Sequence, residues 1–364
     1  MQILSLTAST ASPALSGLAV MSNYLFSTAG VMLVVMTLVY LWYTIGSARL
    51  AKQVALEGSQ AQGVQSNLVN KAGKVAQTAA AAGGDGGSVG TLVESDVVLH
   101  EQVDGERPIA LNRSLIAVGR VGTTVGWFTV FMFFLSLLFR TIVEQHAPWS
   151  NLYEFSLSFT TALLLCYLIF EARFHERVRA WGLYVCVLSI VIVGIALYIG
   201  FAYNLINGSS QLIPALQDQP ILTIHVSMAI FAYALFSVAF GAGLIMLVQG
   251  GEGQRISWLP SAEAADELAY KAVIVGFPLL ALTLILGAYW ANYAWGHYWS
   301  WDPKETSALV TWLIYAVYLH ARGIRGWRGN RVAWLLTLGF AATLFTYYGV
   351  SFFVPSLHSY ATPQ

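Results

Sequence analysis

Leu222–Val248 reads LTIHVSMAIFAYALFSVAFGAGLIMLV, without a single Asp, Glu, Lys or Arg. At about 1.5 Å per residue such a run spans the ~30 Å hydrocarbon layer of a bilayer as one helix. Seven similar runs accompany it: Asn23–Ile45, Leu115–Phe139, Leu152–Phe170, Gly182–Tyr203, Ala272–Tyr293, Thr306–Ala321 and Ala333–Val354. Hydrophobic residues make up 57% of the chain and charged residues 10%, with mean hydropathy +0.64. The runs show little alternation of period two, which excludes a transmembrane β-barrel. The expected fold is therefore all-α: a polytopic membrane bundle of about eight transmembrane helices.

Lys and Arg orient the bundle. Arg49, Lys52, Lys71, Lys74, Arg107 and Arg113 fall between helices one and two, Arg173, Arg177 and Arg179 between three and four, and Arg322, Arg325, Arg328 and Arg331 between seven and eight. With eight helices these loops share the cytoplasmic side, and both termini lie outside. Only Arg140 and Lys304 fall in the opposite loops. Met1–Ser22 carries no basic residue and so lacks the n-region of a signal peptide. Gln53–Glu101 is rich in Ala, Gly, Gln and Ser and reads as a flexible cytoplasmic linker whose Ala-rich half has the composition of a frayed helix. A short surface helix is expected around Ala262–Tyr270. The organisation is thus an N-terminal segment with the first helix (1–46), a linker (47–114) and a seven-helix domain (115–364). Zero net charge, with no basic tract among aromatics, leaves no footprint for nucleic acid. Cys166 and Cys186 are single cysteines inside apolar runs, and no Cys-x-x-Cys-His occurs, so the chain carries no covalent haem of its own.

Between helices six and seven lies Trp295-Gly-His-Tyr-Trp-Ser-Trp-Asp-Pro-Lys-Glu305. Trp and Tyr belt membrane interfaces, which accounts for one or two aromatics at a helix end. Three Trp followed at once by Asp-Pro-Lys-Glu exceed that, and indoles at this density form a polarizable platform suited to a large planar ligand. Asp302 has the position of an N-cap and Pro303 that of a first helical residue. Lys304 suits a carboxylate of a ligand or a lipid headgroup. Glu154 opens helix three at the same level, either as a cap or as the partner of a basic group. The topology puts His225, His358, His297 and His146 outside, with the Trp loop, and His320 at the inner end of helix seven. His225 and His358, alone, are ordinary interfacial residues; together with the Trp platform they suit the two axial positions of a haem iron. His320 is an ionisable group within a helix, which favours a partner or a cavity over simple snorkelling.

These residues resemble a known family. Trp-Gly-x-x-Trp-x-Trp-Asp-Pro-Lys-Glu is similar to the "WWD" signature of haem-handling membrane proteins. Asn151-Leu-Tyr-Glu154, His225-Val-Ser227, Tyr318-Leu-His-Ala-Arg322 and Leu357-His-Ser-Tyr360 resemble the CcsA/ResC branch, part of the System II cytochrome c synthase. The resemblance runs from about Leu115 to Tyr360. It implies that His225 and His358 are the outer axial ligands of haem b bound in the ferrous state. Trp295, Gly296, Trp299, Trp301 and Asp302 become the haem-contacting loop, and His320 a membrane-embedded ligand on the intake route. His297 falls at a variable position and is not assigned. The implied partners are a ResB-type membrane subunit, an apocytochrome c and a thiol-reducing thioredoxin-like protein. The implied activity is holocytochrome c synthesis in the bacterial plasma membrane rather than the thylakoid. Two alternatives stay open at this point: a CcmC-type carrier delivering haem to a chaperone, and a non-haem transporter.

Overall fold

The computed structural model describes residues 13–81, 113–174, 176–203, 205–206 and 220–357. Among these the protein is helical throughout, apart from loops. The long helices are α1 (Pro13–Ala81), α2 (Arg113–Glu144), α3 (Leu152–Phe174), α4 (Gly182–Ala202), α5 (Pro220–Gln249), α6 (Ala262–Trp295), α7 (Pro303–Gly323) and α8 (Asn330–Phe353). The chain divides into two compact units, Met1–Thr44 with Ala117–Gln364, and Ile45–Ile116.

Within the larger unit α5 is the central helix. It packs along α6 and against α8 and α3, while α4 covers α3 and α7 lies against α6 and α8. Small residues line its contacts: Ala229, Ala232, Ala234, Ala239, Ala242, Gly241 and Gly243 are all buried. They let large rings approach, and Phe236 stacks on Tyr315 of α7 with centroids 3.7 Å apart. A helix apolar all round is a buried helix, which is why the Leu222–Val248 run shows no polar face. The first two helices differ, exposing Val31, Leu38 and Trp42 on α1 and Phe128, Phe131 and Phe134 on α2. Glu171 of α3 draws elements of this unit together, accepting hydrogen bonds from Tyr40 (2.6 Å), Thr123 (2.5 Å) and Arg179 (2.9 Å). A buried carboxylate is tolerable only with such partners.

Among the described residues, seven of these eight long helices are long and apolar enough to cross a membrane. The remaining one, α7, has the length at 21 residues but not the apolarity. Its Thr311, Tyr315 and Tyr318 are turned into the bundle and buried. The bundle is therefore a polytopic membrane architecture, with one face of α7 packed against α6 and α8.

Two local expectations change. The surface helix around Ala262–Tyr270 is the beginning of α6: Ser261 caps it by accepting the Ala264 N–H, and it continues unbroken through Pro278 to Trp295. In the smaller unit, residues 52–81 continue α1 as helix instead of forming a flexible linker, and residues 52–71 are exposed. A helix already nucleated propagates through Ala, Gln, Lys and Leu at little penalty. The Gly-rich run after it lies outside the described residues.

Candidate functional site

Five helix ends meet at one end of the larger unit: the starts of α3, α5 and α7, the end of α6, and the last part of α8. They line a partly open cavity of about 150 Å³. In α8 the helix widens into a π turn at Phe345–Gly349, and this turn brings Thr346 and Tyr347 to the cavity floor. Such one-turn π segments recur at functional sites because they re-aim side chains without ending the helix.

His225 stands in the wall, about one turn beyond Pro220. Its Nδ1 lies 2.7 Å from the Thr283 carbonyl oxygen of α6. A carbonyl only accepts, so Nδ1 carries the proton and the lone pair resides on Nε2. This arrangement orients a ring for ligation by Nε2. One turn along the same face of α6, Gly287 makes room for the imidazole: a Cβ there would lie 2.6 Å from His225 Cε1.

Another wall is the strip Trp149–Leu152, which runs into the Asn151-Leu-Tyr-Glu154 segment. Glu154 is the partner of Arg140, at 2.7 Å, and both side chains are buried. The carboxylate also accepts from Ser150 N (3.0 Å) and Ser150 Oγ (2.7 Å), while Asn151 Oδ1 caps the helix through Glu154 N (3.0 Å). Glu154 thus serves in pairing rather than capping, and it fixes the strip Trp149–Leu152 that lines the cavity. Arg140 extends the frame by donating to the Leu205 and Ile206 carbonyls.

The Trp loop is a helix stop followed by a helix start. Gly296, at φ +80°, closes α6 by donating its N–H to the Asn292 carbonyl, a left-handed position that glycine takes without strain. Trp295 lines the cavity and meets the buried Trp290 edge-on at 4.8 Å. Trp299 lines it too. Trp301 does not. It adopts φ +60°, is 71% exposed and stands perpendicular to Trp299 at 5.7 Å. Asp302 and Glu305 form a capping box at the start of α7. Glu305 Oε2 accepts from Ser300 N and Asp302 N, Asp302 Oδ2 from Lys304 N, and Asp302 Oδ1 from Leu357 N at 2.7 Å. Lys304 reaches the cavity. Burial pushes its ammonium down to about 8, against the pull of the Asp302 carboxylate.

Of the expected site residues, the cavity unites His225, Trp295 and Trp299. Gly296 and Asp302 build the loop, and Trp301 stands on its outer face. His320 is at the other end of α7, roughly 24 Å along the helix from Lys304, and is exposed. It falls on a stripe of exposed apolar residues, Val310, Leu313, Val317 and Ile324. His358 lies outside the described residues, as do His100 and His175. Thr283, Gly287, Trp149 and the π turn were not singled out by the sequence. A glycine amid an otherwise large-residue helix was the one available signal.

The family described as cytochrome C assembly protein matches residues 149–358, more than half of the chain. The chain is 36% identical over 259 residues to the cytochrome c biogenesis protein CcsA of Prochlorococcus marinus (strain MIT 9215), covering 63% of this chain and 81% of the relative. It is 32% identical over 286 residues to that of Trieres chinensis, covering 68% and 88%, and 33% identical over 259 residues to that of Chlamydomonas reinhardtii, covering 70% and 72%. The matched stretch contains every helix end that lines the cavity and ends at His358. On these matches the chain belongs to the cytochrome c assembly proteins, as a multi-pass membrane protein of the CcsA type that acts in cytochrome c biogenesis.

Proposed function

We propose that the cavity receives haem as substrate and presents it for covalent attachment to an apocytochrome c. The observation that carries this reading is His225, held through Nδ1 by the Thr283 carbonyl, in a cavity walled by Trp295 and Trp299 and lined on the α7 side by Lys304 and Glu305. The types of side chain fit the group, and a partly open cavity of about 150 Å³ takes an edge of the macrocycle rather than the whole of it. A neutral imidazole suits the iron, indole faces suit the macrocycle and an ammonium suits a propionate.

In this reading His225 and His358 are the two axial ligands of ferrous haem b. The His of an incoming Cys-x-x-Cys-His displaces one of them. Each cysteine S–H then adds across a vinyl group: the S–C bond forms at one vinyl carbon and the proton goes to the other, with no net oxidation. The protein binds, orients and excludes water, and the porphyrin and thiols supply the bond chemistry. A thioredoxin-like protein keeps those thiols reduced. His320, on an exposed apolar stripe, faces a ResB-type subunit that contributes the second ligand of an intake site. In this reading the cavity lies on the outer face of a bacterial plasma membrane, the face that the Lys and Arg bias leaves poor in positive charge.

The test is the absorption spectrum of the protein purified with and without a ResB-type partner, together with mass analysis of a co-expressed Cys-x-x-Cys-His protein. A low-spin ferrous haem spectrum and a mass increase of one haem support the reading. A haem-free protein despite haem supply, with full maturation of the reporter, overturns it.

A further inference from the structure

We infer that Asp302 is a positioning residue that latches the C-terminal segment onto the Trp loop, and so fixes the backbone that carries His358. The inference rests on the proposed ligand role of His358. It stands on one juxtaposition: Asp302 Oδ1 accepts the Leu357 N–H at 2.7 Å, across 55 residues of sequence. Leu357 is the residue bonded to His358.

Capping alone does not require an aspartate at this position. Ser, Thr and Asn start helices about as well as Asp. Here the carboxylate is divided. Oδ2 takes the Lys304 N–H of its own helix at 3.0 Å, and Oδ1 takes an N–H from a distant segment. Asp302 is 5% exposed, so its charge needs such donors, and charge-assisted bonds are the stronger kind.

The C-terminal segment needs an anchor. Helix α8 ends at Phe353, Val354 turns extended (φ −128°, ψ 120°), and Pro355 follows, which cannot continue a helix. Beyond that point the chain has no regular structure of its own through Leu357. The Leu357 bond fixes it to the first turn of α7, two residues from the cavity-lining Lys304. The acid of the Trp signature thereby acts on the iron-binding end through the backbone, not by touching haem.

The test separates latch from cap. Asp302→Ser keeps an N-cap oxygen but is too short to serve both segments. In the haem-free full-length protein, amide exchange of a peptide containing Leu357 is expected to quicken about tenfold, while exchange at the start of α7 is unchanged. With haem supplied, the variant is expected to lose six-coordinate low-spin character and to regain it with added imidazole, as a His358→Gly variant does. Leu357→Pro removes the donor while leaving Asp302 intact, and should reproduce the spectral change. Unchanged exchange at Leu357 in Asp302→Ser overturns the latch. Faster exchange with an unaltered spectrum, where His358→Gly opens a coordination site, overturns the positioning role alone. An unaltered spectrum in His358→Gly instead overturns the ligand reading on which the role rests.

Discussion

Gly287→Ala tests the site through a single methyl group. The added Cβ would sit 2.6 Å from His225 Cε1 and 3.0 Å from Nδ1. Ordinary contact between carbons is about 3.5–4.0 Å, so the ring must retreat by about 0.9 Å or more. Thr283 and Gly287 lie one turn apart on the same face of α6, so a ring pushed off one is lifted from the other. The 2.7 Å bond to the Thr283 carbonyl is then stretched or lost. Losing it removes about 1 kcal/mol, and the displaced Nε2 forfeits at least as much in ligation geometry. Together about 2 kcal/mol corresponds to roughly 30-fold weaker haem retention. The helix itself gains, because alanine is favoured over glycine in a helix interior by about 0.8–1 kcal/mol. Folding yield and thermal stability should therefore hold while haem retention falls. The assay is haem titration of purified protein, read in the Soret band, beside the ferrous spectrum. Wild-type retention and an unchanged low-spin spectrum in Gly287→Ala would remove His225 from the ligand set.

Trp299→Ala should lower the haem-to-protein ratio after detergent purification several-fold. Trp301→Ala, at a 71% exposed position outside the cavity, should lower it less; equal losses would show that both indoles touch the ligand. His320→Ala should reduce haem at the outer site only when a ResB-type partner is present, and imidazole should restore part of it; normal loading would refute an intake role. Lys304 is charged below about 8 and neutral above it. A bound propionate raises that value, so haem affinity should fall as pH climbs from about 8. Lys304→Gln should be weaker throughout and flat over the same range, and a pH-dependent loss identical in Lys304→Gln would assign it to another group.

The spans were legible because burial imposes a long apolar run whatever the neighbours are, and α5 is the clearest case. The continuation of α1 through 52–81 was not, because an exposed helix leaves no apolar period to read. The same holds for the first turns of α6, where Ala, Glu and Asp gave a helix but no sign that it fuses with the span. In the site, residue types were legible and their partition was not. Trp299 and Trp301 differ by two positions and look equivalent in sequence. A φ of +60° at Trp301 sends one away from the cavity. Glu154 could be recognised as a cap or a partner, but only the fold brings Arg140 to it. Gly287 acquires meaning only when a ring from another helix lies on it.

The polar residues of the Trp signature are mostly spent on backbone. Gly296 ends one helix, and Asp302, Pro303 and Glu305 begin the next, so both acids engage main-chain N–H groups. Asp302 is thereby withdrawn from the cavity, whereas Glu305 still lines it. Lys304 lines the cavity beside Glu305, with the Asp302 carboxylate acting on its ammonium. It also stands in the first turn of α7, where the helix dipole favours negative charge. The cavity thus has a mixed-charge side at α7, where Lys304 and Glu305 line it, and an imidazole side at α5. A planar ligand with carboxylates at one edge and a metal at its centre can satisfy both in one orientation. The Lys304 ammonium offers a carboxylate at the ligand's edge a partner that a neutral planar solute would not use.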